Sequence, residues 1–189
     1  HTTPAGIVKQ SSKLAKHQNS ALTIKDYDWN NDGEVDQVYL IYAGYGESSD
    51  EDGSLANTIW PHEWQLSAAN YKLSYDGVTI DTYGCSPELL GNESYPVQMD
   101  GIGTACHEFS HCLGLPDLYD TSGSSNSAFG MDAWSLMDYG CYSDDGYKPT
   151  GYTSYERWMS GWLTPKRLTE ATTITNMAAL TESPEAYII

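Results

Sequence analysis

The amino-acid sequence predicts an α+β fold, with strands in its first half, one central helix and an irregular second half. Three observations carry this expectation. The stretches "VDQVYLIYAG" (35–44) and "YKLSYDGVTIDTYG" (71–84) are rich in β-branched and aromatic residues. In "GIGTACHEFSHCLG" (101–114) the apolar residues recur at three and four, as on a helix face. From Pro116 to Ser127 the chain is polar and rich in Gly, Ser and Asn, as a loop is.

Taken in order, residues 1–20 are polar and hold much of the basic charge, which suits a surface helix or an arm. Residues 35–44 form an apolar run ending in glycine, which reads as a buried strand. In 71–84 two alternating runs flank Asp76-Gly77, a two-residue hairpin signal. Ile102, Ala105, Cys106, Phe109, Cys112 and Leu113 fall together on one helix face, and Gly114 stands where a left-handed residue closes a helix. In "TSYERWMSGW" (153–162), Thr153 and Glu156 make a capping box ahead of Trp158 and Met159, which predicts a second, short helix.

The 189 residues suffice for one domain with a proper core. With 26 acidic side chains against 9 basic ones and a net charge of −17, the surface repels nucleic acid and anionic membranes and attracts cations. No apolar run is long enough to span a bilayer. The chain begins at His1 without a methionine and stops in the apolar "EAYII". It is therefore expected to be a processed piece of a longer, exported protein whose signal has been removed.

The chemistry concentrates in "HEFSHCLGLPD" (107–117). Residues four apart on a helix share a face, so His107 and His111 can present two imidazoles to one zinc ion. Glu108 points to the side, where it can reach a water at the ion and act as general base. Gly114 lets the chain leave the helix sharply and Pro116 fixes its direction, so that Asp117 swings back as the third ligand. Two neutral imidazoles and one carboxylate leave such a site a formal +1, still a Lewis acid. Water, with Glu108 shuttling its proton to the leaving amine, is then the nucleophile.

Downstream, "WSLMDYG" (134–140) places a methionine after the long HExxH motif. The combination is similar to the metzincin clan of zinc peptidases. Within it, "HEFSHCLGLPDLYD", "WSLMDYG" and "SYERWMSGWLTP" resemble the immune inhibitor A family of secreted bacterial metalloproteases, as do "DYDWNNDGEVDQVYLIYAG" and "IWPHEW". The matching segments run from about residue 22 to 165. The resemblance implies a zincin-like fold, with a twisted mixed sheet above a cleft, the zinc helix beneath it and an irregular C-terminal half with a Met-turn. It implies that Met137 is the Met-turn residue, an apolar floor under the metal, and that Tyr139 stabilises the oxyanion. It also implies a protein or peptide substrate and a secreted location. Residues 1–165 are then the catalytic domain, 166–189 begin a further C-terminal segment, and the flanks hold a propeptide and a C-terminal domain.

A second cation site is read in "DYDWNNDGEVD" (26–36). Asp28, Asn30 and Asp32 match the first, third and fifth positions of a calcium loop, and Gly33 permits its turn. The Glu34 carbonyl, Asp36 and Asp26 can add oxygens. The twelfth position, normally an acid, is Tyr39, and a strand follows instead of a helix, so the loop lacks the EF-hand frame. Its expected role is structural, and the alternative is an acidic Asx turn.

Of the four cysteines, Cys106 and Cys112 are separated along a helix by roughly 9 Å of rise, too far for a disulfide. Cys85 with Cys141, Cys106 with Cys141, or four free thiols remain open. His62 lies between Trp60 and Trp64, either lining the cleft or packed among aromatics. The leading reading is a zinc endopeptidase. A catalytically silent, calcium-ordered adhesion module and a zinc hydrolase of a non-peptide bond are the alternatives, and the presence of Glu108 speaks against the silent module.

Overall fold

A computed structural model describes residues 3–50, 53–94, 96–123 and 128–189; residues 124–127 of the predicted loop lie outside these. The polar N-terminal stretch is a helix, α1 (Pro4–Gln18), not an arm. Thr3 caps it by accepting the N–H of Gly6, and Pro4 occupies the first turn, where its missing N–H costs nothing. Ala5 and Val8 are buried in the main apolar cluster.

The chain then forms β1 (Val38–Tyr45) and β2 (His62–Gln65), the hairpin β3 (Leu73–Tyr75) and β4 (Val78–Ile80), and finally β5 (Thr82–Leu90) and β6 (Gln98–Met99). Asp76 and Gly77 both take positive φ, 54° and 89°, as the predicted hairpin turn requires. One carboxylate oxygen of Asp76 also accepts the Ile24 N–H at 2.8 Å and the Lys16 ammonium at 3.0 Å, tying the end of α1 to the turn.

The alternating run 71–84 is not one hairpin. Its second half divides at Asp81, where the carbonyl accepts Leu66 N–H and the carboxylate accepts the N–H and hydroxyl of Ser67. These bonds turn the chain out of the small sheet, and β5 becomes the centre of a larger one. There it pairs in parallel with β1 (Leu40 opposite Cys85) and in antiparallel with β2 (His62 opposite Cys85) and β6 (Leu89 opposite Met99). The sheet is mixed, as expected.

Tyr83 through Pro87 are buried at five consecutive positions, so β5 is covered on both faces. Tyr83 and Cys85 join Val8, Leu66, Leu73 and Ile80 in the apolar cluster. Helix α2 (Ile102–Cys112) packs on the same strand. Its N-terminal end threads closely past residues 141–146: Gly103 N–H donates to Gly146 O at 2.9 Å, and a β-carbon on Gly103 would lie 1.8 Å from the Cys141 carbonyl oxygen. Gly114, at φ 88°, ends the helix as predicted.

The burial of α2 is the reverse of what its apolar periodicity suggests. Ile102, Phe109 and Leu113 are exposed, while Gly103, Thr104, His107, Glu108 and Ser110 are buried. The apolar residues signalled a helix correctly, but the polar side faces the cleft and the sheet.

The second half holds mostly single turns, with α3 (Ser154–Met159) behind the predicted capping box, both of whose bonds are formed. Beyond it, β7 (Lys166–Arg167) pairs in parallel with β8 (Tyr187–Ile188), and Arg157 donates to the Leu180 carbonyl. All four cysteines are free thiols.

Candidate metal centre and active-site cleft

His107, His111 and Asp117 are brought together, as their spacing predicts. The Nε2 atoms of the histidines are 3.2 Å apart, and Oδ1 of Asp117 is 3.2 Å from the first and 3.1 Å from the second. A tetrahedral zinc ion with bonds of about 2.0–2.1 Å separates its ligand atoms by about 3.3 Å. The near-equilateral triangle therefore has the dimensions of one face of such a site.

The outer ring nitrogens explain why the inner ones converge. His107 Nδ1 lies 2.9 Å from the Leu136 carbonyl, and His111 Nδ1 lies 2.8 Å from the Leu115 carbonyl. A carbonyl only accepts, so each Nδ1 must donate, which leaves both Nε2 atoms as lone pairs aimed inward. Asp117 Oδ1 is buried and has no donor of its own. Three acceptors facing one another are mutually repulsive unless a cation lies among them, and a metal ion meets that demand.

Electrostatics agree. Burial works against a charged imidazole, yet the Asp117 carboxylate outweighs it, with help at His107 from Cys141 and the Leu136 carbonyl. His107 is pushed up to about 10 and His111 is also raised. Burial likewise opposes ionisation of Asp117, but the two imidazoles hold it well below the usual carboxylate range. The cluster attracts positive charge, whether proton or metal.

Glu108 is buried beside this centre, 7 % exposed. Burial, reinforced by Asp117, raises its carboxyl to about 6, while the histidines and the Glu63 N–H pull it down. His107 and Glu108 line a cleft of about 1220 Å³ with Trp60, Phe129, Tyr139 and Tyr142 among its aromatic walls. The cleft is large enough for several side chains of a bound polypeptide.

Met137 is fully buried, between Leu136, whose carbonyl holds His107, and Asp138. Tyr139 lines the cleft with 66 % of its surface exposed, its ring against Tyr142 at 5.9 Å. Cys112 donates to the Glu108 carbonyl within its own helix. His62 is engaged at both nitrogens, by the Trp60 carbonyl at 2.6 Å and the Tyr83 hydroxyl at 3.0 Å, and packs edge-on against Tyr83. These contacts hold it in the fold.

In the loop 26–36, Asp28 accepts the N–H groups of Asp32 and Gly33, Asn30 accepts that of Asp32, Asp32 accepts that of Glu34, and Asp36 accepts that of Trp29. These are the bonds of an Asx-type turn. Glu34 directs its carboxylate to Thr82 instead. Asp26 lies in the helical turn Ile24–Tyr27 that leads into the loop.

Sequence reasoning missed the Leu115 and Leu136 carbonyls, since main-chain acceptors carry no residue signature. It also missed Tyr119, whose hydroxyl is raised to about 12 by burial and by the Asp117 carboxylate, and which lines the cleft wall. Its position two residues after Asp117 was the available clue.

Comparison with known proteins places the chain. The model of the immune inhibitor A peptidase M6 catalytic domain matches residues 13–167. Immune inhibitor A of Bacillus thuringiensis subsp. alesti is 26% identical over 163 residues, covering 79% of this chain and 23% of that protein. The pre-pro-metalloprotease PrtV of Vibrio cholerae serotype O1 is 28% identical over 160 residues, covering 77% of this chain and 17% of that protein. The chain spans less than a quarter of the length of either relative. With the cluster of His107, His111 and Asp117 and the cleft inside the matched region, the chain belongs to the immune inhibitor A peptidase M6 family.

Proposed function

We propose that this domain is a zinc-dependent endopeptidase of metzincin type. The observation that carries the reading is the convergence of three acceptor atoms, on His107, His111 and Asp117, with a buried glutamate beside them in an open cleft. Zinc, when bound, supplies a Lewis acid that polarises a peptide carbonyl and acidifies water. His107 and His111 would hold it through Nε2, in the tautomer that Leu136 and Leu115 impose, and Asp117 would add one negative charge. Glu108, raised toward neutrality by burial, accepts a proton from the attacking water and delivers it to the departing amine. Tyr139 reaches into the cleft as a hydrogen-bond donor to the developing oxyanion. Met137, fully buried next to the Leu136 whose carbonyl holds His107, is the Met-turn residue.

The remaining parts of the reading are proposed with it. Calcium orders the 26–36 loop through Asp26, Asp28, Asn30, Asp32, the Glu34 carbonyl and Asp36. The concentration of carboxylates in eleven residues supports this. Residues 1–165 are the catalytic unit and 166–189 lead into a further segment. The protein acts outside the cell on protein substrates, and among the described residues no helix is long and apolar enough to cross a membrane. Flanking sequence supplies a propeptide and a C-terminal domain.

The test is digestion of casein by wild type and Glu108→Gln at equal zinc loading. The variant should bind zinc and cut about a thousandfold more slowly, within the usual contribution of a general base. Equal rates would remove Glu108 from the mechanism. A zinc-loaded wild type that leaves casein intact would favour a binding module or a non-peptide substrate.

A further inference from the structure

The three metal ligands rest on two supports. His111 is held by Leu115, in the exit from its own helix. His107 is held by the Leu136 carbonyl, and Asp117 is followed by Leu118, whose N–H donates to the Met137 carbonyl at 2.8 Å. Residues 135–137 therefore position one ligand directly and a second through its neighbour.

That segment is clamped by Glu156 of α3. Glu156 Oε1 accepts the Ser135 hydroxyl at 2.7 Å and the Met137 N–H at 3.4 Å, from the residues on either side of Leu136. The Ser135 hydroxyl oxygen in turn accepts Met137 N–H at 3.0 Å. The other oxygen, Oε2, closes the capping box on Thr153 N–H. A glutamate that only caps a helix can remain at the surface, yet Glu156 is 1 % exposed. Burying a carboxylate is costly unless donors surround it, and those donors are what tie α3 to the segment under His107.

We propose that Glu156 is a positioning residue for the metal centre. Through Ser135 and Met137 it fixes the Leu136 carbonyl that orients His107, and the Met137 carbonyl that holds the chain beside Asp117. It touches neither the metal ligands nor the cleft. The inference rests on the zinc reading given above.

The test is titration of cobalt(II) into the metal-free chain, recording its visible d–d bands, with zinc affinity measured by chelator competition and melting temperature alongside. Thr153→Ala breaks the cap without touching the clamp and should lower only the melting temperature. Ser135→Ala breaks the clamp and leaves the cap; it and Glu156→Ala should change the cobalt bands and weaken zinc binding about tenfold, as loss of outer-shell support does. Glu156→Gln, which keeps one acceptor oxygen for Ser135 and Met137, should recover part of that loss. Should Glu156→Ala fail to fold, Ser135→Ala and Glu156→Gln carry the test. Wild-type cobalt bands and zinc affinity in Ser135→Ala and the soluble Glu156 variants would reduce Glu156 to a helix cap and overturn the proposal. A wild-type chain that takes up no cobalt would overturn the zinc reading, and the positioning role with it.

Discussion

The region around β5 and α1 and the region from α2 to α3 each contain buried side chains, but of different kinds. In the first, Val8, Leu66, Val78, Ile80 and Tyr83 pack into one apolar cluster. In the second, several of the most buried side chains are polar: His107, Glu108, Ser110, Ser135, Asp138 and Glu156. The apolar cluster is non-directional and tolerant of small rearrangement. The polar region is directional, because each buried group needs its own donor or acceptor at the right angle. A fold can thus rest on the first and reserve the second for chemistry.

The sharpest way to break that contrast is Asp117→Ala. It should abolish tight zinc binding and peptide hydrolysis while leaving the α1–β5 core folded, to be checked by metal analysis and near-ultraviolet circular dichroism. Loss of the whole fold would mean that the two regions are not separable. Next is Leu66→Ala, which removes a fully buried side chain of the apolar cluster. It should cost about 3 kcal/mol of stability yet leave zinc affinity at wild type, read by denaturant melts and chelator competition. The smallest effect is expected at the loop 26–36. Calcium should raise the melting temperature of wild type by a few degrees, and a double variant Asp28→Ala, Asp32→Ala should not respond. Equal shifts in both proteins would move the cation elsewhere.

The same contrast decides what could be read from the sequence. The hairpin at Asp76-Gly77, the helix over 101–114 with its Gly114 stop and the Thr153–Glu156 capping box depend on neighbours within a few residues, and each is found. The clustering of His107, His111 and Asp117 was legible for the same reason, since all three lie within eleven residues. The burial of α2 was not, because apolar periodicity assumes that the apolar side is the inner one. Here the polar side with His107 and Glu108 is inner, and Ile102, Phe109 and Leu113 are left outside. Nor could the split at Asp81 or the tie from Glu156 to Ser135 be seen. Both join residues far apart in sequence, and nothing local marks a serine hydroxyl as the partner of a glutamate twenty-one positions away.

The close passage of α2 over residues 141–146 has a genetic consequence. At Gly101 a β-carbon would lie 2.1 Å from the main chain of Gly146, and at Gly103 it would meet the Cys141 carbonyl. Both obstacles are backbone, which cannot rotate aside as a side chain does. Any missense change in either codon therefore wedges α2 away from the turn beside it. In a library of all single substitutions selected for activity, these two positions should tolerate nothing but glycine. A survey of variants would then rank them with His107, His111 and Asp117, although neither glycine has a side chain to offer to the site.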